Sequence, residues 1–242
     1  MTNINIIVQA RYGSSRLPGK VMKMLSDKMV IEHVIERLNR CKEIDFLVLA
    51  IPDTKDNNVI AKIKFNKKIK IFRGSEDNLL HRYYMAAKKY KTDIVVRVPG
   101  DNCMPEPTEV DRIIKFYKKF KKPFFASNLS NILGNNYPDG IGAEVFGFNF
   151  LEDLIKKKLS LKLKEHIHLN FFDYKKNCSI DEKWCKVRTI NCYKKISRPD
   201  ICLDVNTLND YNFINKIYSS LYKYNNQFTI KDIIKFLDNE KK

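Results

Sequence analysis

Apolar runs and amphipathic stretches alternate through the first half of the chain. Ile4 to Val8 reads as a buried first strand. Val30 to Leu38 reads as an amphipathic helix, with apolar residues at 30, 31, 34, 35 and 38. Phe46 to Ile51 is uninterrupted apolar sequence, the pattern of a strand buried on both faces, and Pro52-Asp53 closes it. A short helix over Asn57 to Lys64, a third strand over Ile69 to Phe72 and a helix over Asn78 to Tyr90 follow. Asp93 to Val98 is the fourth strand and ends at Pro99-Gly100-Asp101; Pro107 to Phe120 is a helix and Phe124 to Ala126 a further strand. This alternation predicts a parallel sheet with crossover helices.

The pattern then changes. Residues 129–141 are rich in Asn and Gly, with Pro138-Asp139-Gly140 as a turn. A strand is expected over Ala143 to Phe148, and helices over Asn149 to Lys158 and Lys164 to Phe172. Residues 173–183 read as polar loop, Cys185 to Tyr193 as a moderately alternating strand and Ile201 to Val205 as a last strand. Asn209 to Tyr222 and Thr229 to Leu237 are closing helices. With no repeat, linker or low-complexity tract, 1–242 reads as one domain, and 129–200 as a substrate-facing or oligomerisation insertion.

Composition narrows the class. A chain of 242 residues, 44% hydrophobic and 30% charged, is globular and long enough to bury a core. No run approaches the ~18 apolar residues of a membrane helix, and Met1-Thr2-Asn3 leads directly into the first strand, so the expected location is cytoplasmic. The six cysteines contain no C-x-x-C pair, which argues for reduced thiols rather than zinc or a disulfide framework. The net charge of +17 raises nucleic acid as a partner. The lysines, however, are scattered along helices and chain ends, as in Lys67-Lys68, Lys88-Lys89, Lys118-Lys119, Lys156-Lys157-Lys158 and Lys241-Lys242. That is the distribution of solvated faces.

Residues 10–20 change the picture most. The first strand empties into Ala10-Arg11-Tyr12-Gly13-Ser14-Ser15-Arg16-Leu17-Pro18-Gly19-Lys20. Glycines let backbone N–H groups approach an anion, serines add donors, and Arg11, Arg16 and Lys20 supply positive charge. The loop lies where open α/β sheets bind ligands. It contains neither G-x-x-x-x-G-K-[ST] nor G-x-G-x-x-G. Farther on, Asp101 follows a strand end, and Asp204 and Asn206 end another apolar run, two apart and so on one side of an extended chain. Carboxylates so placed suit Mg²⁺ over nucleotide phosphates. Arg73-Gly74-Ser75-Glu76-Asp77 opens a helix; Ser75 or Asp77 could cap it, or the turn could face a nucleotide. Asp139 and Glu144 are candidates to hold a hydroxylated substrate, beside the plainer reading of a Pro-Asp-Gly turn. Glu165-His166-Ile167-His168 is not H-E-x-x-H, and no nucleophilic triad is evident.

Together these stretches resemble the SpsF-like cytidylyltransferases, among the nucleotidyltransferases that activate sugar acids. The similarity runs through Gln9 to Lys20, Ile31 to Leu38, Arg73 to Asp77 and on to Tyr83-Tyr84, Gly100-Asp101, Tyr137 to Gly140 with Glu144, Glu165-His166, and Asp204 to Asp210. The resemblance implies a Rossmann-like three-layer α/β/α sandwich around a mostly parallel mixed sheet, of the nucleotide-diphospho-sugar transferase type. It implies CTP as co-substrate, Mg²⁺ as cofactor, a sugar-type acceptor and a homodimer. It maps nucleotide binding onto Ala10, Arg11, Gly13, Ser14, Arg16, Lys20, Arg73, Gly74 and Asp77, with Arg11, Arg16, Lys20 and Asp101 carrying the reaction. Metal ligation maps onto Asp101, Asp204 and Asn206, and the acceptor onto Asp139, Glu144, Glu165 and His166. Asn206 stands where the family has Asp, and His168 where it usually has Thr. Two other functions compete: a GT-A-type glycosyltransferase using a ready-made nucleotide sugar, and a non-catalytic basic binding protein.

Overall fold

The computed structural model describes residues 2–65 and 69–240. The lysine pairs Lys67-Lys68 and Lys241-Lys242 lie outside the described residues. The strands are β1 (Ile4–Gln9), β2 (Met24–Leu25), β3 (Lys28–Met29), β4 (Phe46–Pro52), β5 (Lys70–Gly74), β6 (Ile94–Pro99), β7 (Phe125–Ser127), β8 (Glu144–Gly147), β9 (Phe172–Asp173), β10 (Cys178–Ser179) and β11 (Val187–Arg188). The α-helices are α1 (Val30–Leu38), α2 (Asn58–Ala61), α3 (Leu79–Lys89), α4 (Pro107–Lys118), α5 (Phe148–Ile155), α6 (Leu161–Glu165), α7 (Leu208–Leu221) and α8 (Ile230–Asn239).

Seven strands form one mixed sheet in the order β11-β7-β8-β6-β1-β4-β5. β1 runs parallel to both β4 and β6, and β4 parallel to β5. β8 is antiparallel to β6 and to β7. The architecture is the mostly parallel mixed sheet between helix layers that the resemblance implied. The period-2 rule explains the layers. Ile6, Val8, Leu47, Leu49, Ile51, Val96 and Val98 face one side, against Ile31, Val34, Ile35 and Leu38 of α1 and Val110, Ile113 and Ile114 of α4. Their neighbours Ile7, Val48, Ala50 and Val95 face the other, against Leu80, Tyr83 and Ala87 of α3 and Phe150 and Leu154 of α5. A third cluster packs α7 and α8 on Leu25, Cys103, Leu203 and Val205. All six cysteines are free.

The second half departs from the sequence reading in several places. The helix expected over 164–172 is instead α6 followed by a 3₁₀ turn over Ile167–Asn170. His166 interrupts it with φ −114° and ψ 80°, and Asn170 Nδ2 bonds the carbonyls of Leu163 and Ile167 across the break. The strand expected over 185–193 shrinks to β11, and the loop expected over 173–183 contains the small β9–β10 hairpin. Ile201 to Val205 is extended but joins no ladder, making only single bridges from Cys202 to Asp139 and from Asp204 to Asn102. The helix over 57–64 is confined to a 3₁₀ turn at Lys55–Asn57 and α2. Within 129–200, β8 sits between β6 and β7, so part of that segment is scaffold.

Candidate active site

The carboxyl ends of the parallel strands lie abreast. Gln9 is opposite both Ala50 and Pro99, and Pro52 is opposite Gly74. The loop after β1 is fastened at several points. Leu17 is buried, Gly19 N–H donates to the Tyr12 carbonyl at 3.1 Å, and Tyr12 N–H donates to Asn57 Oδ1 at 2.8 Å. Gly19, at φ +65°, turns the chain into a short 3₁₀ helix that starts at Lys20. After β6, Gly100 N–H donates to the Gln9 carbonyl at 2.8 Å. A Cβ at Gly100 would lie 2.5 Å from that carbonyl oxygen, so the approach requires glycine.

This contact presses Asp101 against the first loop. Lys20 Nζ lies 2.5 Å from Asp101 Oδ2 and 3.4 Å from Asn206 Oδ1. Arg16 Nη2 donates to Asn206 Oδ1 at 2.7 Å. Residues 201–206 arrive because Val205 N–H donates to the Asp101 carbonyl at 2.9 Å. Leu203 and Val205 are buried, which leaves Asp204 and Asn206 on the opposite side, hydrogen-bonded to each other through Asn206 Nδ2 and Asp204 Oδ2. Asp139 joins from the turn before β8, with its N–H on the Ile201 carbonyl at 2.8 Å.

The donor set of this corner fits a hard divalent cation. Asp101, Asp204 and Asn206 offer two carboxylates and an amide oxygen, the ligand type that Mg²⁺ prefers. Ligand atoms of Asp139, Cys202 and Asp204 also lie within 4.8 Å of one another. Cys202 contributes a protonated thiol: burial and the neighbouring Asp204 push it up to about 12, and its Sγ donates to Asp204 Oδ1 at 2.6 Å. Burial raises the Asp204 pKa, and the carboxylates of Asp139 and Asp101 add to the rise. A cation would relieve that crowding.

The other wall of the cleft is made by α3, α6 and β6. Arg97 is 4% exposed on a central strand. Its Nη1 donates to Glu144 Oε2 at 2.5 Å and its Nε to Gln9 Oε1 at 3.1 Å. Burial opposes the Arg97 charge, but Glu144 outweighs it and raises its pKa. His168 is held down to about 3 by burial and by the charges of Arg97 and His166, so it is neutral. Arg82 is 3% exposed, and its Nη1 donates to the Ser75 carbonyl at 2.6 Å. Arg11 Nη2 donates to Glu165 Oε1 at 2.9 Å across the mouth.

The cleft encloses about 300 Å³. It brings together Ala10, Arg11, Gly13, Ser14, Arg16, Lys20, Asp101, Glu165, His166, Asp204 and Asn206 of the residues singled out in the sequence. Arg73, Gly74 and Asp77 do not line it. Arg73 is bound to Asp53 Oδ1 at 2.8 Å and to the Thr54 carbonyl at 2.9 Å, and Asp77 is exposed. The cap of α3 is neither Ser75 nor Asp77 but Asn78, whose Oδ1 accepts from His81 N–H at 2.9 Å. Glu144 is fully buried beneath Arg97 and meets the cleft only through it. Asp139 does not line the cleft, although its carboxylate lies within 4.8 Å of the ligand atoms of Asp204 and Cys202. The sequence reading missed Arg82 and Arg97, which also line the cleft; of the turn over 73–77 that it offered to a nucleotide only Glu76 lines it, and Gln9, which opens the first stretch of the resemblance, does so too. A charged residue inside the apolar run Ile94 to Val98 was the available signal for Arg97.

A family profile described as Cytidylyltransferase matches residues 5–229. The spore coat polysaccharide biosynthesis protein SpsF of Bacillus subtilis is 29% identical over 223 residues, 90% of this chain and 87% of that protein. The solved structure of a cytidylyltransferase from Leptospira borgpetersenii superposes with a TM-score of 0.86 at 24% identity, over 99% of this chain and 95% of that one. A CMP:2-keto-3-deoxy-manno-octonic acid synthetase solved with CTP superposes with a TM-score of 0.67 at 16% identity, over 90% of this chain and 99% of that one. Among the described residues no helix is long and apolar enough to cross a membrane.

Proposed function

The chain belongs to the cytidylyltransferase family, and on that premise we propose that it moves a cytidylyl group from CTP to a sugar acid or related surface-polysaccharide precursor. Nucleotidyl transfer is the family's reaction. CTP, Mg²⁺ and the sugar-acid acceptor are the proposal. The observation that carries it is the meeting of Lys20 and Asp101, 81 positions apart, at 2.5 Å in one corner of the cleft. A triphosphate and its counter-cation need that juxtaposition, because cations bind one part of the polyanion and carboxylates hold the metal that neutralises another. The names of the similar proteins support the acceptor class: one makes spore coat polysaccharide and another joins CMP to a 2-keto-3-deoxy sugar acid.

In this reading the acceptor oxygen forms a bond to the α-phosphorus, the bond to the β-phosphate breaks in line, and pyrophosphate leaves as the acceptor hydroxyl gives up its proton to solvent. The protein's part is position and charge, as in other phosphoryl-type transfers. Backbone and hydroxyl groups of Gly13 and Ser14 hold phosphate oxygens. Arg11, Arg16 and Lys20 offset the charge that grows on the departing pyrophosphate. Asp101 and Asp204, with Asn206 beside them, would hold Mg²⁺, which when bound polarises the phosphate oxygens. His166 and Glu165 flank the acceptor, while Glu144 keeps Arg97 in place behind it.

Incubation with CTP, Mg²⁺ and a panel of sugar acids, read as pyrophosphate release, tests the proposal. Acceptor-dependent pyrophosphate is the expected result. Binding of a nucleotide sugar without any pyrophosphate would transfer the assignment to a glycosyltransferase.

A further inference from the structure

We propose that Arg82 is the anion-recognising residue of the acceptor subsite, so that the acceptor carries a compact anionic group, a carboxylate or a phosphate, held away from Arg16 and Lys20. The inference rests on the nucleotidyltransferase reading above. It names the residue and the chemistry by which the second substrate is chosen.

Most cationic side chains of the cleft already have a partner. Lys20 is paired with Asp101, Arg11 with Glu165 and Arg97 with Glu144. Arg16 is bonded to Asn206. Arg82 forms no ion pair among the described residues, although it is 3% exposed and lines the cleft. Its Nη1 is used by the Ser75 carbonyl, but its buried Nε has no hydrogen-bond acceptor among the described residues. Glu76, also on the cleft wall, is exposed and makes no ion pair with it. Tying down the turn before α3 explains one nitrogen of the guanidinium and leaves the rest unexplained.

The exposed Glu76 carboxylate favours the Arg82 charge without pairing with it, so a buried cation is left with only a weak counter-charge, and an arriving anion lowers that cost. Burial, with the charge of Arg11 close by, draws the Arg82 pKa down to about 10, so the guanidinium is still charged at neutral pH. Its planar fork fits the two oxygens of a carboxylate or phosphate. The place fits as well. Arg82 sits on α3, on the wall with Glu165 and His166. Of the cations assigned to the triphosphate, Arg11 reaches this wall through Glu165, whereas Arg16 and Lys20 face Asn206 and Asp101 on the other.

The test is a titration of the CTP-saturated protein with inorganic phosphate in one arm and pyruvate in the other. It follows the arginine Nε–Hε resonances by NMR, with the Arg82 signal assigned from its loss in Arg82→Lys. Saturable movement of that signal in at least one arm is expected, and the stronger arm identifies phosphate or carboxylate. Arg82→Met should weaken that anion at least tenfold and leave CTP affinity within twofold. No saturable movement with either anion, or unchanged anion binding in Arg82→Met, overturns the inference. CTP affinity is measured first. Its absence would sink the nucleotidyltransferase reading, and the same anion titration on the free protein would still decide the fate of Arg82.

Discussion

The two walls of the cleft handle charge in opposite ways. On the first, Lys20, Asp101, Arg16 and Asn206 come from three separate segments and neutralise one another across the gap, with side chains of Lys20 and Asp101 that are 13% and 25% exposed. On the second, Arg97 and Glu144 are sealed beneath the surface at 5% and 1%. Partly solvated pairs contribute little to stability and exchange partners easily. A sealed pair contributes little net stability while intact, yet losing one member leaves an uncompensated buried charge. On the proposed reading, the first wall can exchange its internal bonds for contacts to phosphates. The second is built to stay fixed.

That contrast can be broken by experiment. Asp101→Ala should lower turnover at least 10³-fold, about 4 kcal/mol in the transition state, while the thermal midpoint moves little. A large loss of stability would show the first wall to be scaffold after all. Arg97→Met should show the reverse emphasis, with urea melts reporting a loss of about 3–4 kcal/mol because Glu144 is left buried and charged. The double change Arg97→Met with Glu144→Leu should recover much of that loss. If the single variant is as stable as the wild type, the second wall is not fixed in the way described.

Arg16→Gln should cost tens of fold in kcat/KM, about 2 kcal/mol, through the loss of one charge-assisted contact. Unchanged kcat/KM would remove Arg16 from the phosphate cradle. The smallest expected effect lies behind the first wall. His33, 2% exposed, donates from Nε2 to the Leu25 carbonyl at 2.7 Å and so supports the β2–β3 hairpin that follows the loop. Burial lowers its pKa from 6.5 to about 4. Between those values the unfolded chain binds the extra proton, so its contribution is present above pH 6.5 and is lost as pH falls toward 4. The slope is at most about 1.4 kcal/mol per pH unit. Urea melts at pH 7 and pH 5 should differ accordingly, and His33→Gln should flatten the difference.

The first half of the fold was legible because β1, β4 and β6 are largely apolar runs set between amphipathic helices, whereas the two-residue strands β2 and β3 left no pattern to read. Helices cover both faces of β1, β4 and β6, so unbroken apolar sequence and a central position in the sheet agree. The loop over 10–20 stood out by composition as a candidate anion cradle, and the structure brings it to the cleft. The region from 161 to 206 was not. His166 breaks a sequence with helical periodicity, because Ile167 and Phe171 are buried from a 3₁₀ turn as well as they would be from an α-helix. Ile201 to Val205 alternates as a strand does, yet it finds only single bridges at Asn102 and Asp139. Arg82 was hidden for a similar reason. It lies among Leu79, Leu80, Tyr83 and Ala86 on the packed face of α3, and sequence periodicity cannot tell a buried cation from a surface one.

The hydrogen bond from Val205 N–H to the Asp101 carbonyl ties the end of the extended segment 201–205 to a point more than a hundred residues earlier. During synthesis on a ribosome, the carboxylate corner thus stays open until residues 204–206 have emerged and docked. In refolding from urea, recovery of turnover should consequently lag behind recovery of helical ellipticity. A nascent or partly folded chain would have the loop over 10–20 yet lack the carboxylate corner that it meets.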